Sequence, residues 1–232
     1  MRFPTLAASF LWLIPVTASF AEAERGSSSG RVLAADVAGV VEAVRPGSAE
    51  AVRIKTRDVI GEKHTVKVGA ASAVTLVFSN GATISLQEKS ALVISEFLQN
   101  PFSTPYTMQM ETEEPSVSTT KLNLVGGEVV CKVKKLSREE GSSFTVSTPV
   151  GAAGIRGTIF AMTYQPDTDG SGRGRYILSV TEGEVSLTDI NGNVSIVTVG
   201  REIEIAFRAK VDEVTGEVSI VEILATEIRD IP

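Results

Sequence analysis

The 232-residue chain has few of the side chains on which most catalytic and metal sites depend. It contains one cysteine, one histidine and one tryptophan, and aromatic residues make up 6% of the sequence. A single cysteine excludes an intrachain disulfide, and a single histidine excludes a zinc site built from several imidazoles. The tryptophan is Trp12, so the chain beyond the amino terminus lacks the best aromatic platform for stacking a sugar. These scarcities favour a binding or scaffolding protein over an enzyme.

Basic charge is scarce as well. The chain has 22 lysines and arginines against 28 acidic residues, a net charge of −6, and its basic residues form no stripe. Affinity for phosphate backbones comes from clustered Lys and Arg, so this composition excludes nucleic acid as the expected partner. After residue 20, no apolar run approaches the roughly 18 residues that a membrane helix needs.

The amino-terminal segment has the features of a secretory signal peptide. Arg2 is followed by an apolar run over residues 6–20, and the run ends at Ala21-Glu22-Ala23. This pattern predicts a leader over residues 1–23, with cleavage after Ala21 or Ala23, and an exported protein of the periplasm or cell surface. The alternative is an uncleaved leader that anchors the chain in a membrane. Residues 24–34 begin with a Gly/Ser-rich stretch and are predicted to be a flexible linker.

Apolar residues alternate with polar ones through most of residues 35–232, which predicts a single β-rich domain. The clearest case is an alternating run from Val74 to Phe78, then Asn80-Gly81, then Ile84 and Leu86, which predicts a hairpin. Asn191-Gly192 and Thr215-Gly216 predict two more. Further strands are expected at 35–44, 91–94, 144–148, 159–164, 177–180, 185–187, 194–199 and 218–223. About a dozen short strands predict an all-β antiparallel sandwich or roll.

Gly-Glu-Val occurs three times, beginning at Gly127, Gly183 and Gly216, and each copy opens an apolar strand. We expect a turn glycine with positive φ, an exposed acid and then an inward-facing valine. We interpret the repeated tripeptide as a hairpin turn that occurs three times. The alternative is a true structural repeat, in which similar turns stack as in a β-solenoid.

Two segments are predicted to be loops. Residues 99–115 contain three prolines and three glutamates, which indicates an exposed connection with one short strand at 106–110. Residues 166–175 have the composition of a mobile loop. Asp167 begins a stretch similar to a calcium loop, but its twelfth position is Leu178 rather than glutamate, so we interpret it as a hairpin loop.

Four stretches together resemble a known family, the FecR domain, an extracytoplasmic β-rich module named after a bacterial sensor for iron-dicitrate uptake. The most distinctive is Thr148-Pro149, followed by Ile155-Arg156-Gly157-Thr158 and then Phe160, which no hairpin rule would produce. The resemblance covers about residues 66–203. The stretches are 74–94, 122–130, 144–160 and 179–187.

The resemblance implies the fold and a binding role, with an unidentified protein or small-ligand partner. The sensors of this family also have a cytoplasmic region that grips a sigma factor, a membrane helix and a further periplasmic domain. Only residues 1–5 precede the apolar run here, so we expect a stand-alone FecR domain without the sigma-factor-binding region. The alternative is a membrane-anchored sensory protein of FecR type with an uncleaved leader.

The motif residues are expected to be structural. Pro149 should end a strand, because it cannot donate to a ladder, and the small residues 151–154 should lie where two strands cross closely. We expect Arg156 to pin this crossover through carbonyls or a carboxylate, with an anion site as the alternative. The complete set of family positions is Gly81, Gly127, Pro149, Gly154, Arg156, Gly157, Thr158, Phe160 and Gly183.

No catalytic, cofactor-binding or metal-binding residue is predicted. His64 is expected to be an exposed residue at a strand start, and Cys131 a small buried hydrophobe facing away from Lys132 and Lys134. A Cys131–His64 dyad has no support from the residues around either. A hydrolase that uses scattered carboxylates is the least favoured alternative, since no sequence feature points to it.

Overall fold

The computed structural model describes residues 28–102, 112–166, 172–212 and 218–231. These residues form eighteen strands and one three-residue 3-10 helix, Arg138–Glu140. The all-β prediction is confirmed, although the strands outnumber the expected dozen. The first nine are β1 Ser28–Ser29, β2 Val32–Ala38, β3 Val41–Val44, β4 Ala51–Arg53, β5 Val59–Ile60, β6 Thr65–Val68, β7 Ala73–Phe78, β8 Thr83–Leu86 and β9 Ala91–Gln99. The others are β10 Ser118–Lys132, β11 Ser143–Thr148, β12 Gly151–Ile155, β13 Ile159–Pro166, β14 Arg173–Glu182, β15 Glu184–Asp189, β16 Val194–Thr198, β17 Arg201–Val211 and β18 Val218–Asp230.

The strands form two sheets. Sheet A has the order β4-β3-β6-β9-β10-β11-β12-β15-β16, with β1 beside β6 on the same edge of β9. Sheet B has the order β5-β2-β7-β8-β10-β13-β14-β17-β18. Among these pairs only β10–β11 is parallel. A solenoid stacks its coils in parallel, so the solenoid alternative does not describe this fold.

Strand β10 belongs to both sheets because it is long and carries two glycines at its middle. Residues 118–126 pair with β9 in sheet A, and residues 127–132 pair with β13 in sheet B. Gly127 has φ +92°, and a Cβ there would collide with Ser90. The Ser90 hydroxyl also holds both backbone groups of Glu128, accepting from its N–H at 2.9 Å and donating to its carbonyl at 3.0 Å. Glycine therefore permits the change of sheet.

After β10 the chain adds hairpins to the two sheets in turn. The β11–β12 hairpin enters sheet A, β13–β14 enters sheet B, β15–β16 enters sheet A and β17–β18 enters sheet B. The architecture is therefore a sandwich built as a roll. Gly183, with φ +76°, makes one of the turns between sheets, as its Gly-Glu-Val context predicts.

The core fills the space between the sheets with alternate residues of both. Strand β7, for example, buries every second residue. Phe78 of sheet B meets Phe97 of sheet A edge to face, with ring centroids 5.0 Å apart. Cys131 is buried in this single apolar cluster, as predicted, and so is Phe160. The alternation that predicted the strands therefore also built the core.

Several local predictions can be compared with the described residues. Hairpins β7–β8 and β15–β16 form around Asn80-Gly81 and Asn191-Gly192 as expected. The third predicted hairpin pairs β17 with β18, although Thr215 and Gly216 lie outside the described residues.

The loop and leader predictions have mixed outcomes. The predicted linker contains β1 and the start of β2, so it was wrong for residues 28–29 and 32–34. The mobile loop predicted over residues 166–175 was too long, because β13 extends to Pro166 and β14 begins at Arg173. The leader of residues 1–23, the strand expected at 106–110 and the stretch from Asp167 to Ser171 lie outside the described residues. Within the parts of the chain that are described, no helix is long and apolar enough to cross a membrane.

Candidate functional site

The most distinctive stretch of the sequence folds as a tight hairpin followed by a change of sheet. Strand β11 ends at Thr148, directly before Pro149, and the Thr148 hydroxyl accepts a 3.2 Å hydrogen bond from the Val150 N–H. Val150 is completely buried and anchors the turn. Strand β12 then runs antiparallel to β11 and pairs on its other side with β15.

Strand β12 is made of small residues because its neighbours lie close. A Cβ on Gly151 would collide with the Thr188 carbonyl of β15, which confirms the predicted close crossing at that position. Ala153 points into the core and is fully buried. Ala152 and Gly154 face outward, and the nearest atom to a Cβ built on Gly154 is the Ser186 carbonyl oxygen at 3.8 Å. The outer face of β12 is therefore almost bare.

This bare strand forms the floor of a shallow trough of about 330 Å³ on the outer face of sheet A. Neighbouring strands carry hydroxyl-bearing side chains on the same face, so the walls are polar while the floor is backbone and methyl. Arg138, in the 3-10 helix, lies at the end of the trough where β11 begins. The hydroxyl residues that line it are Ser143, Thr145, Ser186 and Thr188.

Arg156 does not have the role that the sequence suggested. Its side chain is exposed and makes no hydrogen bond or ion pair with any described residue, so the guanidinium is not the pin of the crossover. It follows β12 at the end where β11 begins, which is also the end occupied by Arg138. The exposed Glu184 on β15 carries a negative charge nearby but forms no ion pair with Arg156. Arg138 therefore lines one end of a hydroxyl-lined trough and Arg156 lies beside that end, and neither guanidinium has a hydrogen-bond or ion-pair partner among the described residues.

Thr158 provides the pin instead. It is 1% exposed, and its hydroxyl donates to the Glu184 carbonyl at 2.9 Å. Its backbone exchanges two hydrogen bonds with Val133, at 2.9 and 3.0 Å. Gly157, just before it, has φ +61°, and a Cβ there would lie 3.0 Å from the Cα of Lys135. These contacts explain why the motif places glycine and threonine side by side.

A buried polar cluster supports the same end of the trough, and sequence reasoning missed it. Glu114 was expected in an exposed connection but is 7% exposed. Its carboxylate accepts from the Ser118 hydroxyl and from the Ser137 N–H, both at 2.7 Å. Asn80 donates to the same Ser118 hydroxyl at 3.0 Å. Because Ser137 immediately precedes Arg138, the cluster positions the arginine, and no local sequence signal marks Glu114 as its partner.

The remaining candidates do not form a reactive site. His64 is half-buried rather than exposed, its Nδ1 lies 3.0 Å from the Glu62 carbonyl, and it lines a separate cavity of about 200 Å³ with Arg45 and Asp58. Cys131 is fully buried, and burial raises the pKa of its thiol far above the usual range, which suppresses the thiolate that a dyad needs. Among the described residues, no three His, Cys, Asp or Glu side chains cluster so as to hold a metal.

The other family positions are structural. Gly81, with φ +87°, lies in the turn between β7 and β8, and Gly127 and Gly183 make the sheet changes described above. Phe160 is 1% exposed in the core. Of the predicted set, therefore, Gly154, Arg156 and Gly183 are exposed, and Gly154 is the member that lines the trough.

Comparison with curated protein sequences found no match. Among solved structures, the chain is similar to a proposed anti-sigma factor from Parabacteroides distasonis, seen in crystal structures at 1.65 and 2.50 Å resolution. In both cases the TM-score is 0.41 and the identity 15%, over 68% of this chain and 58% of that one. This partial similarity assigns neither that protein's role nor its remaining segments to the present chain.

The comparison with family models is decisive. The model described as "FecR protein" matches residues 64–186, more than half of the chain. The match runs from β6 through the first half of β15 and so includes the sheet change in β10, the whole motif and every residue that lines the trough except Thr188. The chain belongs to the FecR family.

Proposed function

We propose that this chain is an exported, non-catalytic binding module of the periplasm or cell surface, and that it binds its partner in the trough over β12. The observation that carries the proposal is the trough itself. The family motif shapes an accessible polar surface there, Arg138 lines its end, and the exposed Arg156 of the motif has no hydrogen-bond or ion-pair partner among the described residues. A motif that served only the fold would not need to leave an arginine of its own exposed.

The chemistry of the trough favours a polar ligand held without reaction. Its walls offer hydroxyl groups that both donate and accept hydrogen bonds, the Arg138 guanidinium lines one end, and the exposed Arg156 follows β12 at that same end. None of the lining residues is a cysteine, histidine or carboxylate, so the trough supplies neither a nucleophile activated by a base nor a general acid. Binding and orientation are what this set of side chains can do.

The binding part of the proposal is tested by a photo-crosslinking residue placed at Thr188 in cells. Thr188 is exposed and lines the trough. Thr198 is an exposed threonine on the neighbouring β16 that does not line the trough, so it is the matched control position. We expect a discrete adduct from position 188 and none from position 198. Equal labelling from both positions, or no adduct from either, would remove the trough as the binding surface.

Filling the trough gives an independent check. Gly154→Trp adds a large side chain where a Cβ meets only ordinary contacts, and Gly126→Trp adds the same side chain to β10, where a Cβ meets nothing within 4 Å. Both variants should fold with unchanged thermal midpoints. The adduct at position 188 should disappear in the first variant and persist in the second.

Export is tested by amino-terminal sequencing of the protein from fractionated cells. A start just after Ala21 or Ala23 in the soluble periplasm supports the proposal. The apolar run over residues 6–20 also favours a second candidate, a membrane-anchored sensory protein of FecR type. An intact Met1 in the inner-membrane fraction would select that candidate instead.

A further inference from the structure

Strand β18 is an unusually long edge strand. It has 13 residues and pairs along its whole length with β17, and no described strand pairs with its other edge. Edge strands in soluble proteins are commonly short or covered, because unpaired N–H and C=O groups recruit other chains. At about 3.3 Å per residue, β18 spans about 43 Å. Strand β16, which ends sheet A, has five residues and spans only about 17 Å.

The exposed part of β18 is apolar as well as unpaired. Val221, Leu224 and Ile228 are 53%, 40% and 42% exposed, although each belongs to a residue type that is usually buried. Ile223 packs only partly against the core. A strand with open hydrogen-bonding groups and exposed aliphatic side chains is a docking surface for another strand.

The pairing of β17 with β18 shows how a neighbouring strand accommodates two bulges in β18. Strand β18 has two residues more than β17, and these two, Val221 and Leu224, are skipped in the register as bulges. Between these two bulges, Phe207 lies opposite Ile223 and Arg208 lies opposite Glu222. Arg208 and Glu222 form an ion pair at 3.1 Å. A strand that pairs with the bulged part of β18 therefore presents an apolar residue followed by an arginine.

The carboxy-terminal part of β18 presents the same order, Ile228 followed by Arg229. We propose that the chain forms a twofold-symmetric homodimer in which β18 pairs antiparallel with β18 of a second copy, centred on Thr226. With the same bulges retained, Ile228 of one copy lies opposite Ile223 of the other. Arg229, which pairs with Glu202 and Glu204 of its own chain at 2.7 Å, lies opposite Glu222 and extends this row of alternating charges across the interface. Each contact occurs twice, as an isologous interface requires.

The proposed register also agrees with the faces of the strand. Thr226, Ile223 and Ile228 lie opposite core-facing residues of β17, so all three share the inner face. Opposed residues of antiparallel strands must share a face, and these pairs do. A slip that centred the pairing on Glu227 would place two carboxylates opposite each other, which is unfavourable. Charge and face therefore select the same register.

The mass of the purified chain in solution, measured by light scattering over a dilution series, tests the dimer. We expect twice the chain mass at high concentration and the single-chain mass on dilution. Ile228→Lys should raise the dissociation constant by at least about tenfold, the factor that corresponds to about 1.4 kcal/mol. Ile196→Lys, the same change at a 52% exposed position on edge strand β16, should leave the constant unchanged. A monomer at every concentration, larger open-ended assemblies, or equal effects of the two variants would overturn the proposal.

A cysteine crosslink tests the register without relying on that variant. Thr226→Cys places two thiols across the twofold axis, where opposed Cβ atoms are about 4.5–5.5 Å apart, near the separation that a disulfide bridges. The native Cys131 is completely buried and does not compete. Ser219→Cys is the control, since its two copies would lie at opposite ends of the interface. Oxidation should link the chains of the first variant into a dimer and leave the second unlinked; comparable linking of both, or of neither, would contradict the register.

Discussion

Strands β17 and β18 lie side by side and carry similar alternations, yet one is buried and the other is not. Ile203 of β17 is fully buried, while Ile228, directly opposite on β18, is 42% exposed. Phe207 is likewise fully buried, and its partner Ile223 is only partly so. The difference lies in their neighbours, because β17 is flanked by β14 and β18 whereas β18 is flanked on one side only. Burial therefore depends on flanking strands more than on the apolar pattern.

The largest expected effect comes from truncating that opposed pair. Ile203→Ala should lower the free energy of unfolding by about 2–5 kcal/mol, because it opens a cavity in a closed part of the core. Ile228→Ala should cost about 0.5 kcal/mol or less, as at a surface position. Urea denaturation followed by circular dichroism, at concentrations where the chain is monomeric, measures both. Equal losses would show that β18 is as well supported as β17.

The same dependence on neighbours applies to the two glycines of the motif. Gly157→Ala should lower the free energy of unfolding by about 1–3 kcal/mol, since it forces a side chain into positive φ against the Lys135 backbone. Gly154→Ala has no such conflict and should be neutral or stabilise by about 0.5 kcal/mol. Urea midpoints of the two variants provide the comparison. A destabilised Gly154→Ala would mean that β12 tolerates no side chain, and the trough could not then be filled as proposed above.

Two carboxylates of the β17–β18 hairpin offer a smaller contrast. Glu202 is 7% exposed and accepts from the Ser179 hydroxyl at 2.9 Å and from the Arg229 Nε at 2.7 Å. Glu202→Ala removes the acceptor of the Ser179 hydroxyl and of the Arg229 Nε, while Arg229 keeps its pair with Glu204, and the change should cost about 1–3 kcal/mol. Glu227 is exposed on β18, so Glu227→Ala should change the free energy of unfolding by no more than about 0.5 kcal/mol. Thermal denaturation of both variants measures the two losses of stability. A larger loss in Glu227→Ala than in Glu202→Ala would refute the prediction.

The smallest effect at neutral pH concerns the tyrosines beside β17. Burial raises the pKa of Tyr164 to about 12, and it also raises the pKa of Tyr176, which pairs with Ile205. Unfolded tyrosine titrates near pH 10, so the folded chain should keep its full stability below that pH. Stability should then fall as the pH rises from about 10 through 12, because only the unfolded state releases these protons.

The control for the alkaline prediction is the double variant Tyr164→Phe, Tyr176→Phe. Both hydroxyls are buried and have no hydrogen-bond partner among the residues that the structure describes, so their removal should leave the stability at pH 7 unchanged or slightly higher. Thermal midpoints of the variant should depend less on pH above 10 than those of the native chain. Parallel pH profiles would locate the alkaline transition in other groups.

Local chemistry explains the predictions that succeeded. Asn-Gly pairs set the β7–β8 and β15–β16 hairpins, because the glycine of each pair adopts positive φ at little cost. Gly-Glu-Val placed Val129 and Val185 inward for the same reason. Each of these features is decided within a few residues and is therefore visible in a single sequence.

The failed predictions involve residues that are distant along the chain. Glu114 belongs to an acidic, proline-rich stretch, and its carboxylate is held by Ser137, which lies 23 residues further along the chain on an adjacent segment. Arg156 has the chemistry of a structural pin, but Thr158 already holds the crossover through Glu184 and Val133. Which of two suitable side chains meets a partner is decided by packing, and the alternation of apolar residues contains no information about it.

The sequence by itself determined the all-β class, most of the hairpins, the buried state of Cys131 and the family. Alternation and turn chemistry specify these properties locally, and the motif from Thr148 to Phe160 specifies the family. Only the tertiary structure decided which hairpin enters which sheet, how β10 joins the two, and why β12 is bare while β18 is open at its edge. Those outcomes depend on pairing between distant segments, since a strand becomes central or peripheral only through the neighbours that the rest of the chain supplies.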